Sequence, residues 1–131
     1  PTDASLIPTG EMAPVDGTAF DLREPTHLGG VMPRRFDTNF VVRGGAGMLR
    51  EAAVLASRSS GLAMRVETTQ AGLQVYTADH LDEPFHPRQG LCLEAQNFPN
   101  APNQPGFPSA CLSPGEPYRH TTVLTFDSKN G

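Results

Sequence analysis

Positive charge is scarce in this sequence. Its ten Lys and Arg are scattered singly, apart from the doublet Arg34-Arg35, against fourteen Asp and Glu, for a net charge of -4. A nucleic-acid binder needs a basic stripe or patch to displace counterions, so no nucleic-acid partner is expected. Long apolar runs are missing too. No stretch approaches the roughly 20 residues that span a bilayer, and the first residues carry no charged-then-apolar pattern, so a soluble chain without a membrane partner is expected. Only two cysteines occur, Cys92 and Cys111. With one of them inside an apolar run and no disulfide framework around them, they read as free buried thiols, which favours a reducing cytoplasm.

Several catalytic signatures are absent as well. His27, His80, His86 and His120 lack the spacing of a metal site, so no metal is expected. There is no Gly-x-Ser-x-Gly elbow, P-loop or Gly-x-Gly-x-x-Gly turn, which leaves nucleophilic and nucleotide-dependent chemistry without a signal and implies no cofactor. No repeat of fixed period occurs.

What the chain has in quantity is glycine and proline, 13 of each in 131 residues. Frequent turns and few long helices follow, which points to an all-β protein, either one domain over 1–131 or a portion of a larger one. Residues 1–23 hold three prolines and two glycines within the first seventeen positions and read like the middle of a chain, with one short strand expected at Thr18–Leu22. Pro25–Gly30 reads as a single helical turn. Phe36–Arg43 is a β-rich run closed by Gly44-Gly45, and Met48–Ser57 is assigned to strand despite its helix-forming residues, because the window is short and its neighbours are strands. The alternation of Leu62, Met64 and Val66 with Ala63, Arg65 and Glu67 marks a half-buried strand. After a break at Gln70-Ala71-Gly72, a further strand places Leu73, Val75 and Thr77 on one face and Gln74 and Tyr76 on the other. Leu91–Ala95 and His120–Phe126 are the last strands expected. His80–Gln89 is a polar loop, Pro99–Gly115 is irregular, and Asp127–Gly131 is a mobile tail.

The stretch 90–109 concentrates the chemistry. A short apolar run, Leu91-Cys92-Leu93, delivers Glu94 to the mouth of a loop with four prolines and several side-chain amides. Proline has no amide hydrogen and fixes its own backbone, so this loop is neither helix nor inner strand. A carboxylate where a strand gives way to a rigid polar loop is a natural candidate for catalysis. Asp37 stands at a strand edge in the same way. From spacing alone, each such residue is more often a solvated or turn-forming group than a catalytic one.

A set of ordered motifs raises that expectation. Leu6–Glu11, Gly17–Arg23, Phe36–Phe40, Thr68–Thr77, Cys92–Pro99 and Pro102–Pro105 through Pro114–Glu116 to His120–Thr122 together resemble the C-terminal part of the aldose 1-epimerase, or galactose mutarotase, family. The resemblance implies an antiparallel β-sandwich of the galactose mutarotase type, of which this chain would form only part. It also implies an isomerase that interconverts the α and β anomers of aldohexoses such as galactose or glucose. In that chemistry a carboxylate takes the proton of the anomeric hydroxyl while an acid protonates the ring oxygen; the ring opens, C1–C2 rotates, and closure gives either anomer. The matching base is Glu94, and Asp37 and Gln74 would hold sugar hydroxyls, as an acceptor and a two-sided amide. Asn39, Gln96 and Asn97 are expected to fix loops, and Phe98 either packs or faces the sugar.

The departures from the family pattern define the alternatives. Thr38 follows Asp37 where the family usually has histidine. The acid histidine and a second sugar-binding histidine of the family belong to an N-terminal half that this chain does not contain, and none of the four histidines present matches them. The acid would therefore come from a missing N-terminal segment, a second chain or another copy, and association is expected. The competing reading is a non-catalytic carbohydrate-binding or structural remnant of the same fold. A hexose-6-phosphate epimerase would need a basic cluster, for which Arg34-Arg35 is thin support.

Overall fold

Six strands carry the fold, and they segregate into two antiparallel three-stranded sheets (computed structural model, described for residues 1–28 and 35–128). The strands are β1 (Asp37–Val41), β2 (Arg50–Ala56), β3 (Leu62–Thr68), β4 (Gly72–Tyr76), β5 (Cys92–Gln96) and β6 (Thr122–Ser128). One sheet has the order β1-β4-β5 and the other β2-β3-β6. A single 3-10 turn, Ala101–Asn103, interrupts the proline-rich loop. This is the all-β chain that the turn-rich composition implies, in the two antiparallel sheets that the resemblance implies.

Alternation decides which face each sheet buries, because successive side chains of a strand point to opposite sides. In β4, Leu73 and Val75 are buried, with Leu73 only 3% exposed, while Gln74 and Tyr76 on the other side are half-buried. In β3, Val66 is 1% exposed. The core forms where the two sheets meet: Val42, Val66 and Leu73 are its centre, with Ala52, Ala53, Met64, Leu93 and Ala95 packed around them. Leu93 and Ala95 pair with Val75 and Leu73 across β4–β5, so one sheet contributes a continuous apolar row. Burying such side chains stabilises by about 1.5–3 kcal/mol each, which is why a small sandwich is held by so few residues.

Arg50 ties the two sheets together where the chain passes between them. Its Nε donates to the carbonyl of Arg43 at 2.8 Å, Nη1 to Met48 at 3.0 Å and Thr68 at 3.1 Å, and Nη2 to Gln70 at 2.8 Å and Val42 at 3.3 Å. Four of these acceptors belong to the β1–β2 and β3–β4 crossings, outside the strands, and the fifth, Thr68, is the last residue of β3. The five-donor guanidinium suits that task, since lysine has neither the reach nor the fork.

The proline-rich loop fastens the N-terminal segment. Asn100 Nδ2 and Gln104 Nε2 donate to the carbonyl of Pro8 at 3.2 and 3.0 Å. Gly10, at φ +92°, lies so close to Gln104 that a β-carbon there would collide with its Oε1.

Some local expectations fail for identifiable reasons. Thr18–Leu22 is a pair of turns instead of a strand. The Thr18 hydroxyl donates to the carbonyl of Val15 at 2.7 Å and accepts from the amide of Phe20 at 3.1 Å, so the side chain takes backbone partners that a strand would need. Phe20 then packs edge-on against Phe36, with ring centroids 5.7 Å apart. Residues 25–27 form no helical turn, and Gly29-Gly30 lie outside the described residues. Asp127 and Ser128 extend β6 where a tail was expected, because both pair with β3 opposite Ala63 and Leu62; residues 129–131 lie outside the described residues. Both cysteines are free thiols, but Cys111 is exposed and Cys92 half-buried, since only Cys92 lies in the sheet.

Candidate sugar site on the open face of the first sheet

Strand register assembles the site. Directly paired residues in an antiparallel sheet share a face. Asn39 pairs with Gln74, and Gln74 pairs with Glu94, so these three form one row across β1, β4 and β5. Asp37 pairs with Tyr76, and Gly72 with Gln96, which adds parallel rows two residues to either side. The same alternation that sends Leu73 and Val75 into the core therefore sends Asp37, Asn39, Gln74, Tyr76, Glu94 and Gln96 to the opposite, polar face.

These side chains surround a cavity of about 390 Å³ lined by Asp37, Gln74, Tyr76, His80, Glu94, Gln96 and Pro99. All three residues singled out from the sequence, Asp37, Gln74 and Glu94, line it. Gln74 Nε2 donates to Asp37 Oδ1 at 2.7 Å, and Gln96 Nε2 reaches Gln74 Oε1 and Asn39 Oδ1, both at 3.3 Å. An amide chain thus runs across the sheet floor: Asn39 accepts from Gln96, Gln96 also donates to Gln74, and Gln74 donates to Asp37. Glu94 is exposed, lines the cavity and accepts no hydrogen bond among the described residues.

Gly72 is required by this floor. A β-carbon at that position would lie 2.5 Å from Asn39 Oδ1 and 2.9 Å from its Nδ2, so the Asn39 amide occupies the space a side chain would need.

Gln96 and Asn39 were expected to fix loops, yet they belong to strands and to the polar floor, and Gln96 lines the cavity. Asn97 follows β5 and does not line it. Tyr76 and His80 were given no role and both line it; the period-two pattern of β4 already put Tyr76 on the side of Gln74, but nothing local brings His80 back over the sheet. Phe98 packs, buried and edge-on against Phe107 at 5.1 Å, on the wall of a separate groove. Of the basic doublet, Arg34 lies outside the described residues, and Arg35 faces Asp79 at 3.7 Å. Among the described residues no three His, Cys, Asp or Glu side chains are placed to share a metal ion, and no helix is long and apolar enough to cross a membrane.

Comparison with known proteins places this geometry in a family. The chain is 45% identical to galactose mutarotase of Sus scrofa and to that of Homo sapiens, each over 96% of this chain and 40% of the relative. Aldose 1-epimerase of Streptococcus thermophilus is 33% identical over 86% of this chain and 36% of its own length. The crystal structure of an aldose epimerase homologue from C. elegans superposes with a TM-score of 0.87 at 25% identity, covering 98% of this chain and 42% of that one. The chain thus spans about 40% of the length of the curated relatives it matches. The family model for aldose 1-epimerase matches residues 1–125, and with two antiparallel sheets of the same fold beneath an acidic, amide-floored cavity, the chain belongs to the aldose 1-epimerase family.

Proposed function

We propose that this chain carries the base and part of the sugar-binding surface of a mutarotase that interconverts the anomers of aldohexoses such as galactose or glucose. The observation that carries the reading is the shared face of Asp37, Gln74 and Glu94 around one cavity, created by the Asn39–Gln74–Glu94 row and the Gln74–Asp37 hydrogen bond. Glu94, with no donor on its carboxylate among the described residues, takes the proton of the anomeric hydroxyl. Asp37, held in place by Gln74, accepts a hydrogen bond from a second hydroxyl, which fixes the ring orientation. The remaining N–H and lone pair of Gln74 serve the sugar as donor and acceptor.

The acid that protonates the ring oxygen comes from a segment absent from this chain, from a second polypeptide, or from another copy. The second sheet supports an additional partner surface. Leu124 and Phe126 pair with Val66 and Met64 and therefore point to the core side of β3, yet both remain half exposed or more. Apolar side chains directed inward but left uncovered, on an edge strand with unpaired backbone groups, favour association. The site is assigned to the cytoplasm on the strength of the free thiols.

A second reading is favoured by the missing acid: a carbohydrate-binding half-site without turnover. Proton NMR of freshly dissolved α-galactose separates the two. Faster approach to the anomeric equilibrium than in buffer, abolished by Glu94→Gln, establishes catalysis; saturable sugar binding without acceleration establishes the second reading for the chain alone.

A further inference from the structure

His80 stands over a site to which no role has yet been given it, and the turn that carries it is unusually well fastened. Thr77, just past the end of β4, exchanges bonds with Phe36: its amide donates to the Phe36 carbonyl at 2.9 Å, and its hydroxyl oxygen accepts from the Phe36 amide at 3.0 Å. The Thr77 hydroxyl also donates to the Asp79 carboxylate. That carboxylate is 5% exposed and is flanked by Arg35 and Arg88, each at 3.7 Å. Ala78 is buried with a positive φ of 54°, and its carbonyl accepts from the Arg88 amide at 2.8 Å. A left-handed alanine persists only where the surroundings over-determine it. The chain finally closes on itself when the amide of His80 donates to Tyr76 Oη at 3.2 Å. Residues 77–80 thus form a braced turn that follows the strand end and makes His80 part of the cavity lining, together with Asp37 and Glu94.

The donor inventory of the cavity shows what such an imidazole supplies. Each sugar hydroxyl is both donor and acceptor. Asp37 and Glu94, as carboxylates, only accept. Gln96 directs its amide nitrogen at Asn39 and Gln74, and Gln74 directs one N–H at Asp37. The donors left on the site include the second N–H of Gln74 and the Tyr76 hydroxyl, and a histidine ring adds at least one N–H in either protonation state. We infer that His80 is a substrate-contacting residue, its imidazole N–H donating to a hydroxyl of the aldose held by Asp37, Gln74 and Glu94. The inference rests on the mutarotase reading for the presence of the sugar, and goes beyond it in the residue and in the direction of the hydrogen bond.

The test is a galactose titration of the 131-residue chain carrying 15N- and 13C-labelled histidine and glutamine, with His80 assigned through its variants. The His80 ring signals and the Gln74 side-chain amide should shift together with one common Kd. His80→Phe, which keeps ring bulk and removes the donor, should weaken binding by about five- to tenfold, in line with one hydrogen bond to a polar ligand. His80→Asn, which keeps an N–H, should recover part of that loss. Unchanged amide signals outside residues 76–81 certify the fold of each variant. If the Gln74 amide shifts while the His80 ring does not, or if His80→Phe binds as tightly as the parent chain, the role of His80 is refuted and the sugar-site reading stands. If neither residue responds to sugar, both are refuted.

Discussion

Gln74 and Asp37 lie diagonally across the β1–β4 pair, two residues out of register on the same face, and the amide nitrogen of Gln74 donates to the Asp37 carboxylate at 2.7 Å. This contact makes one functional unit of two residues 37 positions apart, because it fixes the carboxylate's rotamer and settles which end of the Gln74 amide is nitrogen. Replacing Gln74 with leucine should leave the sheet intact and release Asp37, weakening galactose affinity by about tenfold, the equivalent of one charge-assisted hydrogen bond. A sugar titration followed by NMR reads this directly; unchanged affinity would remove Gln74 from the site.

Glu94→Gln should separate binding from turnover. The amide is the same size and still accepts a hydrogen bond, so galactose affinity should change little, whereas proton abstraction should fall by about 10²–10⁴-fold, the usual share of a positioned general base. Polarimetry of fresh α-galactose measures the rate above buffer for parent and variant, and a variant as fast as the parent would dismiss Glu94 as the base.

Gly72→Ala should disturb the site without replacing any of its polar side chains. Its β-carbon would fall 2.5 Å from Asn39 Oδ1, which must move and give up the bond from Gln96. A loss of about 1–3 kcal/mol in urea unfolding is expected for overpacking of this kind, with a matching shift of the Gln96 side-chain amide signal.

Arg50→Lys should be more damaging than its conserved charge suggests. One ammonium cannot serve five carbonyls placed around a planar fork, so the β1–β2 and β3–β4 crossings lose acceptors' partners together. A stability loss of about 2–3 kcal/mol is expected by chemical denaturation. Hydrogen exchange should rise first around Val42 and Gln70.

Asp21 offers a test by pH. The side-chain hydrogen bond from Arg23 holds its carboxyl below the ordinary value, outweighing the opposing effect of desolvation. A carboxyl with a depressed folded-state pKa contributes stability that is present above its unfolded value, near 3.8, and is lost as pH falls through the lower folded value. An NMR titration of the Asp21 carboxyl should therefore give a midpoint below 3.8 in the parent chain and one closer to it in Arg23→Ala.

The outcome for each element follows from how local its cause is. Strands β3 and β4 were legible because Leu62, Met64 and Val66, then Leu73 and Val75, repeat with period two, and that repeat is itself the consequence of a half-buried sheet. The strand at 50–56 opposed its helix propensity, and was decided by pairing with β3, as its short window suggested. Thr18–Leu22 misled because a β-favouring composition there is overruled by the Thr18 hydroxyl, which captures the backbone for turns.

For the site, the sequence alone determined which residue types are present and which side of each strand they occupy, and its ordered motifs singled out Asp37, Gln74 and Glu94, which line one cavity. Side-chain alternation and motif order are properties of the chain itself. Tertiary structure alone decided the lateral order β1-β4-β5, which sets Gln74 between Asn39 and Glu94 and turns Asn39 and Gln96 from loop residues into the site floor. It alone brought His80 back over the sheet, through a turn braced by Phe36, Asp79, Arg35 and Arg88. Those contacts join residues far apart in sequence, and strand order and long-range bracing are set by which apolar faces can be buried together, a quantity that no local stretch of sequence contains.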